Sequence, residues 1–333
     1  RRDQRLSLRL SALRWRPLGA LLLLWLAGCT QWSPPAGTAA SPTLELSATP
    51  FFPQARYQCG PAALATLLVD AGVETTPDQL APQVYLPQRA GSLQPELIAA
   101  SRRAGRIPYR LDPHWSAIEA ELAAGRPVLV LQNLGFSFWP RWHYAVVIGH
   151  DARHEGVILR SGTERRQRLP MRQFLYSWQQ SDHWALVVLK PGELPANVDS
   201  TRYLAELAVW ERQGRNTAAL RGYLAAVERW PDQPTARLGA GNMLHARGDH
   251  AAAAQQYRAL LRLRPEDPVA LNNLADTLAQ LGCRDQALTL IERGLRQPAL
   301  APAVRDTMVA TRAEISARPA TAAATECAAP AAP

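Results

Sequence analysis

The 333 residues contain one lysine, Lys190, three methionines and four cysteines. Every other side chain of fixed positive charge is an arginine. The net charge of +9 is scattered rather than gathered in a basic stripe interleaved with aromatics, which argues against a nucleic-acid partner. There is no Cys-x-x-Cys pair, no His-Glu-x-x-His helix and no glycine-rich phosphate loop, so zinc, zincin and nucleotide readings lack support. No cofactor and no metal is expected. Long apolar runs are scarce too, and PLGALLLLWLAG near the start is short for a membrane span. What remains is 47% hydrophobic and 20% charged residues, a globular composition with room for two domains and a sizeable core.

The basic segment RRDQRLSLRLSALRWR precedes that apolar run, the order of a secretion signal. The run ends in Leu26-Ala27-Gly28-Cys29, which resembles the lipobox of bacterial lipoproteins. The resemblance implies a signal peptide over 1–28 and a diacylglyceryl group on the Cys29 thiol, hence attachment to a membrane through lipid. An ordinary signal peptide, or an uncleaved anchor, is the competing reading. Thr30 follows where enterobacterial lipoproteins retained in the inner membrane carry Asp, so the implied destination is the periplasmic face of the outer membrane. Residues 29–50, rich in Pro, Ser, Thr and Ala, are expected to be a flexible tether reaching roughly 25 Å.

From Phe51 to about Pro191 the pattern is α+β. Helical stretches over 61–71, 94–104 and 116–124 precede four β-rich runs, PVLVLQ, HYAVVIG, GVILRS and WALVVLK. The rest is a repeat array. Gly214, Gly248 and Gly282 recur at the 34-residue tetratricopeptide period. In that register Ala219, Ala253 and Ala287 fall at a small contact position. Tyr223, Tyr257 and Ile291 fall at a large apolar one, and Pro231 and Pro265 close repeats. Three repeats over 200–301, a cap helix over 303–317 and a low-complexity disordered tail over 318–333 are predicted, an all-α solenoid.

In QARYQCGPAALATLL, Cys59 stands at the start of a predicted helix, with Pro61 suited to the first turn and Leu64, Leu67 and Leu68 on a buried stripe ended by Gly72. Helix-terminal amides and the dipole favour a thiolate and can hold an oxyanion. A buried structural cysteine fits this local pattern equally well. His143 opens the apolar run HYAVVIG about eighty residues later, an order suited to a thiol nucleophile and its base. Phe136, Phe138, Trp139 and Trp142 either line a substrate groove beside His143 or pack a long loop. Cys283 and Cys327 are able to pair, which sequence alone leaves open.

QCGPAALATLL together with GRPVLVLQ and HYAVVIG resembles the papain-like peptidase domains that remove double-glycine leaders from bacteriocins, over about 50–191. That resemblance implies a papain-like α+β domain, N-terminal helices before an antiparallel sheet. It implies Cys59 as nucleophile, His143 as general base and then acid, and an upstream Gln as oxyanion donor. Gln54 is the best match, one residue later than the family position, here Pro53; Gln58 is a weaker substitute. The family orients its His with an Asp at the end of the next strand, where this chain presents Ser161 and Gly162; Asp151 is the nearest acid on the intervening turn. The expected function is a periplasm-facing lipoprotein thiol peptidase acting on a peptide, with the repeats holding a protein partner. The alternative is a scaffold that grips a peptide without cutting it, and a third reading transfers the acyl group to an acceptor other than water.

Overall fold

The computed structural model describes residues 43–53, 58–151, 154–318 and Cys327. The signal segment, Cys29, Gln54, most of the expected tether and the tail other than Arg318 and Cys327 lie outside the described residues. The strands are β1 (Leu44–Glu45), β2 (Tyr85–Leu86), β3 (Gly91–Ser92), β4 (Ile107–Arg110), β5 (Val128–Asn133), β6 (Trp142–Asp151), β7 (Gly156–Ser161), β8 (Glu164–Pro170) and β9 (Ala185–Leu189). Seven form one antiparallel sheet in the order β4-β9-β5-β6-β7-β8, with β1 added to β6, while β2 and β3 make a separate hairpin.

Both faces of the sheet are covered, which is why its central strands are continuously apolar instead of alternating with polar residues. Side-chain alternation in β5 divides the load. Leu129 and Leu131 join Val146 and Ile148 of β6 under α1 (Cys59–Asp70), α2 (Pro77–Val84) and α3 (Gln94–Arg103). Val128 and Val130 join Ala145 and Val147 under α4 (Trp115–Ala123) and α5 (Met171–Gln179), where Phe174 and Trp178 fill the space. Helix α1 is buried on most sides from Gly60 to Leu68, more completely than one apolar stripe requires. It stops at Gly72, whose φ of +79° lets Val73 N–H reach the Leu68 carbonyl. Strand β8 is an exposed edge whose arginines discourage further pairing, and the same charges hide it from a hydrophobicity reading.

The tether expected through residue 50 ends earlier. Leu44 and Glu45 pair with His150 and Gly149, and the buried Arg160 guanidinium donates to the carbonyls of Ser47 (2.9 Å) and Thr49 (2.9 and 3.2 Å). Two paired residues are too few to leave a period in the sequence, so the tie becomes visible only through its partners.

The array consists of helix pairs α6 (Ser200–Arg212) with α7 (Asn216–Arg229), α8 (Pro234–Ala246) with α9 (His250–Leu263), and α10 (Pro268–Gln280) with α11 (Arg284–Leu295), followed by α12 (Pro302–Ala317). Gly214, Gly248 and Gly282 occupy the left-handed turn inside each pair, at φ of 71°, 86° and 82°. Ala219, Ala253 and Ala287 are fully buried, and Tyr223, Tyr257 and Ile291 are buried beside them. A Cβ on Gly239 would lie 2.3 Å from the Tyr223 ring and one on Gly241 2.5 Å from that of Tyr257, so the tyrosines pack directly on backbone. Cys283 and Cys327 form a disulfide that ties the tail to the third pair.

The array covers the β4 edge of the sheet. Tyr203, Leu204 and Leu207 of α6 continue the apolar cluster that includes Tyr109 of β4. Arg102 forks onto Glu206 with donor distances of 2.8 to 3.0 Å, Arg215 donates to the Arg102 carbonyl, and the Tyr109 hydroxyl accepts from the Asp199 amide at 2.9 Å.

Candidate active site

The β5–β6 hairpin pairs Gln132 with His143 and Asn133 with Trp142, so His143 stands one residue inside the end of the sheet. Cys59, the first residue of α1, meets that end from the helical side. The backbone amides of Tyr144, Gly60 and Cys59 itself stand close enough to its sulfur to favour the thiolate. The Tyr144 amide brings the thiol beside the residue that follows His143. No hydrogen bond joins Cys59 Sγ to the His143 ring among the described residues.

His143 Nε2 lies 2.9 Å from Ser161 Oγ, across from β6 at the end of β7. The other acid considered, Asp151, sits at the opposite end of β6, where it holds His154 Nδ1 at 2.8 Å and Arg168 at 3.5 Å. Serine is therefore the group on the far imidazole nitrogen. When Nε2 carries the proton, the hydroxyl accepts it as a hydrogen bond and leaves Nδ1 as the basic nitrogen.

Burial reverses the electrostatics expected from a helix terminus. It pushes the Cys59 thiol above its ordinary range, opposed only in part by the three amides. Burial first, and the Arg141 charge second, push His143 down to about 4. A neutral thiol and a neutral imidazole are the resting forms these two environments favour, in place of a thiolate and an imidazolium.

Several supporting residues carried no signal in the sequence. Ser92, in the β2–β3 hairpin, packs so closely on α1 that a Cβ at Gly60 would lie 2.2 Å from its Oγ. That hydroxyl is buried without a hydrogen-bond partner among the described residues, and its backbone carbonyl accepts from the Tyr144 hydroxyl at 3.4 Å. Gln132, cross-strand from His143, is buried and donates to Ser177 Oγ at 2.7 Å. Two-residue strands and a single amide leave no periodicity to read; only the Gly after Cys59 hinted at a close approach. Gln58 supplies its carbonyl to the Ala62 amide at 3.1 Å and makes no side-chain cap. Among the described residues no three His, Cys, Asp or Glu side chains converge to hold a metal, and no helix is long and apolar enough to cross a membrane.

Residues 46–185 match the Peptidase_C39 like family, and residues 211–268 and 244–309 match tetratricopeptide repeats. No curated protein matches the chain. Among solved structures, similarity is found to a C39-like peptidase from Bacillus anthracis, at 18% identity and a TM-score of 0.38, over 45% of this chain and 98% of that one. The peptidase domain of Streptococcus ComA, a bifunctional ABC transporter involved in a quorum-sensing pathway, gives 17% identity and 0.35 over 43% and 98%. The tetratricopeptide domain of Sgt2 from Aspergillus fumigatus gives 17% and 0.33 over 36% and 81%.

Proposed function

Starting from a Peptidase_C39-like domain at residues 46–185 followed by tetratricopeptide repeats, we propose that the chain is a thiol peptidase that cuts a peptide through Cys59 and His143. The repeats hold a protein partner or present the substrate. The N-terminal sequence adds a lipid on Cys29 and a place on the periplasmic face of the outer membrane.

The observation that supports the reading is that Cys59 opens α1 near the Tyr144 amide, next in sequence to His143, whose Nε2 lies 2.9 Å from Ser161 Oγ. Cys59 Sγ attacks the scissile carbonyl carbon while its proton passes to His143 Nδ1. Because both groups rest neutral, transfer and attack belong to one step. The α1 amides, with Gln54 as the side-chain donor, take the oxyanion. The C–N bond breaks as His143 returns the proton to the leaving amine, and water then hydrolyses the thioester. Replacing Cys59 by Ala abolishes both turnover and labelling by a thiol-directed peptide electrophile; unchanged labelling of that variant overturns the assignment.

A second reading, a peptide-binding scaffold without turnover, is favoured by the raised thiol and by the serine that His143 Nε2 meets. The pH dependence of Cys59 alkylation separates the two. In the peptidase, the peptide electrophile alkylates Cys59 faster than a free thiol at pH 7. In the scaffold alkylation stays below that of the free thiol throughout.

A further inference from the structure

Four exposed aromatics stand in the loop that leads into His143. Phe136, Phe138, Trp139 and Trp142 are 68%, 82%, 73% and 51% exposed. Such a cluster marks a contact surface, since each large ring left in water forgoes the free energy of its burial. The loop is built to hold them there. Asn133 Oδ1 accepts from the amides of Gly135 (2.9 Å) and Arg141 (2.8 Å), and its Nδ2 donates to the Phe136 carbonyl (3.3 Å). Phe136 and Trp139 exchange backbone hydrogen bonds of 3.1 Å in both directions. At Gly135 a Cβ would lie 2.4 Å from the Trp139 carbonyl oxygen, so no side chain fits, and the Phe136 and Phe138 rings stack at 5.3 Å between centroids. A loop organised in this way presents its rings at low entropic cost on binding.

Charge narrows the partner. No acid occurs between Val128 and His150, and Arg141 forms no ion pair among the described residues. We propose that the loop from Leu134 to Trp142 is the substrate-selecting wall of the site. It binds a peptide with large apolar side chains within a few residues of the cleaved bond, and a carboxylate on that peptide pairs with Arg141. This assignment rests on the peptidase reading for its chemistry. A peptide is favoured over a lipid surface because the loop runs into β6 immediately before His143 and the Arg141 charge reaches the imidazole. A substrate carboxylate on Arg141 also offsets the charge that opposes imidazolium, supplying from the peptide part of what the missing aspartate supplies elsewhere.

The test uses the full chain and labelled octapeptides in which Phe or Leu is exchanged for Ser, and Glu for Gln, around one bond. Anisotropy with Cys59→Ala reads binding, and the unmodified chain reads kcat/KM. Expected are a loss of at least tenfold for the Ser peptides and about fivefold for the Gln peptide. The Phe136→Ser/Phe138→Ser double variant erases the first preference, Phe136→Tyr retains it, and Arg141→Gln erases the second. Circular dichroism checks that the variants fold; these side chains lie outside the core, and Trp139→Ser offers an independent substitution. Equal binding of all peptides by the unmodified loop overturns the proposal. So does loop-dependent sedimentation with phosphatidylglycerol vesicles in the absence of peptide discrimination. Discrimination by Cys59→Ala without cleavage by the unmodified chain removes the peptidase reading and leaves the binding assignment standing.

Discussion

The two ends of strand β6 carry the same side chains in opposite company. At the far end His150 is buried with its Nε2 3.7 Å from a Glu119 carboxylate oxygen, and Asp151 holds His154 and Arg168. At the near end His143 has a serine hydroxyl on one nitrogen and an arginine as its closest charge. The contrast teaches that a histidine on this strand is not catalytic by type or by burial. What sets His143 apart is its place at the sheet end where Cys59 opens α1 near the Tyr144 amide, together with an open aromatic loop. It also separates the charges, with Glu119 and Asp151 at the far end and Arg141 at the near one.

Exchanging the two histidines tests that contrast most severely. His143→Ala is expected to lower kcat/KM by about a thousandfold while the fold survives, since general acid–base groups contribute roughly 10² to 10⁴. His150→Ala is expected to keep turnover within about threefold and to cost roughly 2–3 kcal/mol in urea unfolding, through the cavity it opens and the Glu119 carboxylate it isolates. A reversal of these two outcomes would move the site to the wrong end of β6.

Next in size is the pH dependence of stability. The folded His143 binds its proton only near pH 4, whereas the unfolded chain does so near 6.5. Its contribution is fully present above pH 6.5, declines as the pH falls toward 4, and no longer changes below that. The fall amounts to roughly 3 kcal/mol at most, and His143→Gln removes it. Urea titrations of both proteins at pH 7 and 4.5 read the difference; parallel curves would show that burial does not hold the imidazole neutral.

The smallest effect sharpens the comparison by giving the near end an acid. Ser161→Asp places a carboxylate on Nε2, raising the His143 pKa and stabilising imidazolium. The expected results are an acid limb of kcat/KM moved upward by more than one pH unit and a rise of about tenfold at pH 7. A variant that folds and shows neither change would mean that Ser161 does not govern the imidazole.

Much of the architecture was legible because it repeats or persists. The glycine, alanine and tyrosine columns of the array each answer one requirement, a left-handed turn, a close helix contact and a filled gap, and they recur three times or nearly so. The runs in β5, β6, β7 and β9 are apolar throughout because helices cover both faces. Strand β1, the β2–β3 hairpin and the arginine-rich β8 were not legible, being too short or too charged to show a period. Around the site, Cys59 and His143 were visible as types in an order, while Ser92, Gln132 and Asn133 came into view only through contacts with residues distant in the chain.

By itself the sequence determined which chemistry is available, a thiol at a helix start, an imidazole opening a strand, a serine in place of an acid, and a helical repeat array behind them. Those are local properties, encoded by residue type and spacing. Tertiary structure alone decided the protonation state, because desolvation depends on everything packed around a group. Cys59 is pushed up although it begins a helix, and His143 is pushed down to about 4 by burial and by Arg141. It also decided which aromatics face water, since the Asn133 clasp across the β5–β6 hairpin helps hold the 134–142 loop with its rings exposed.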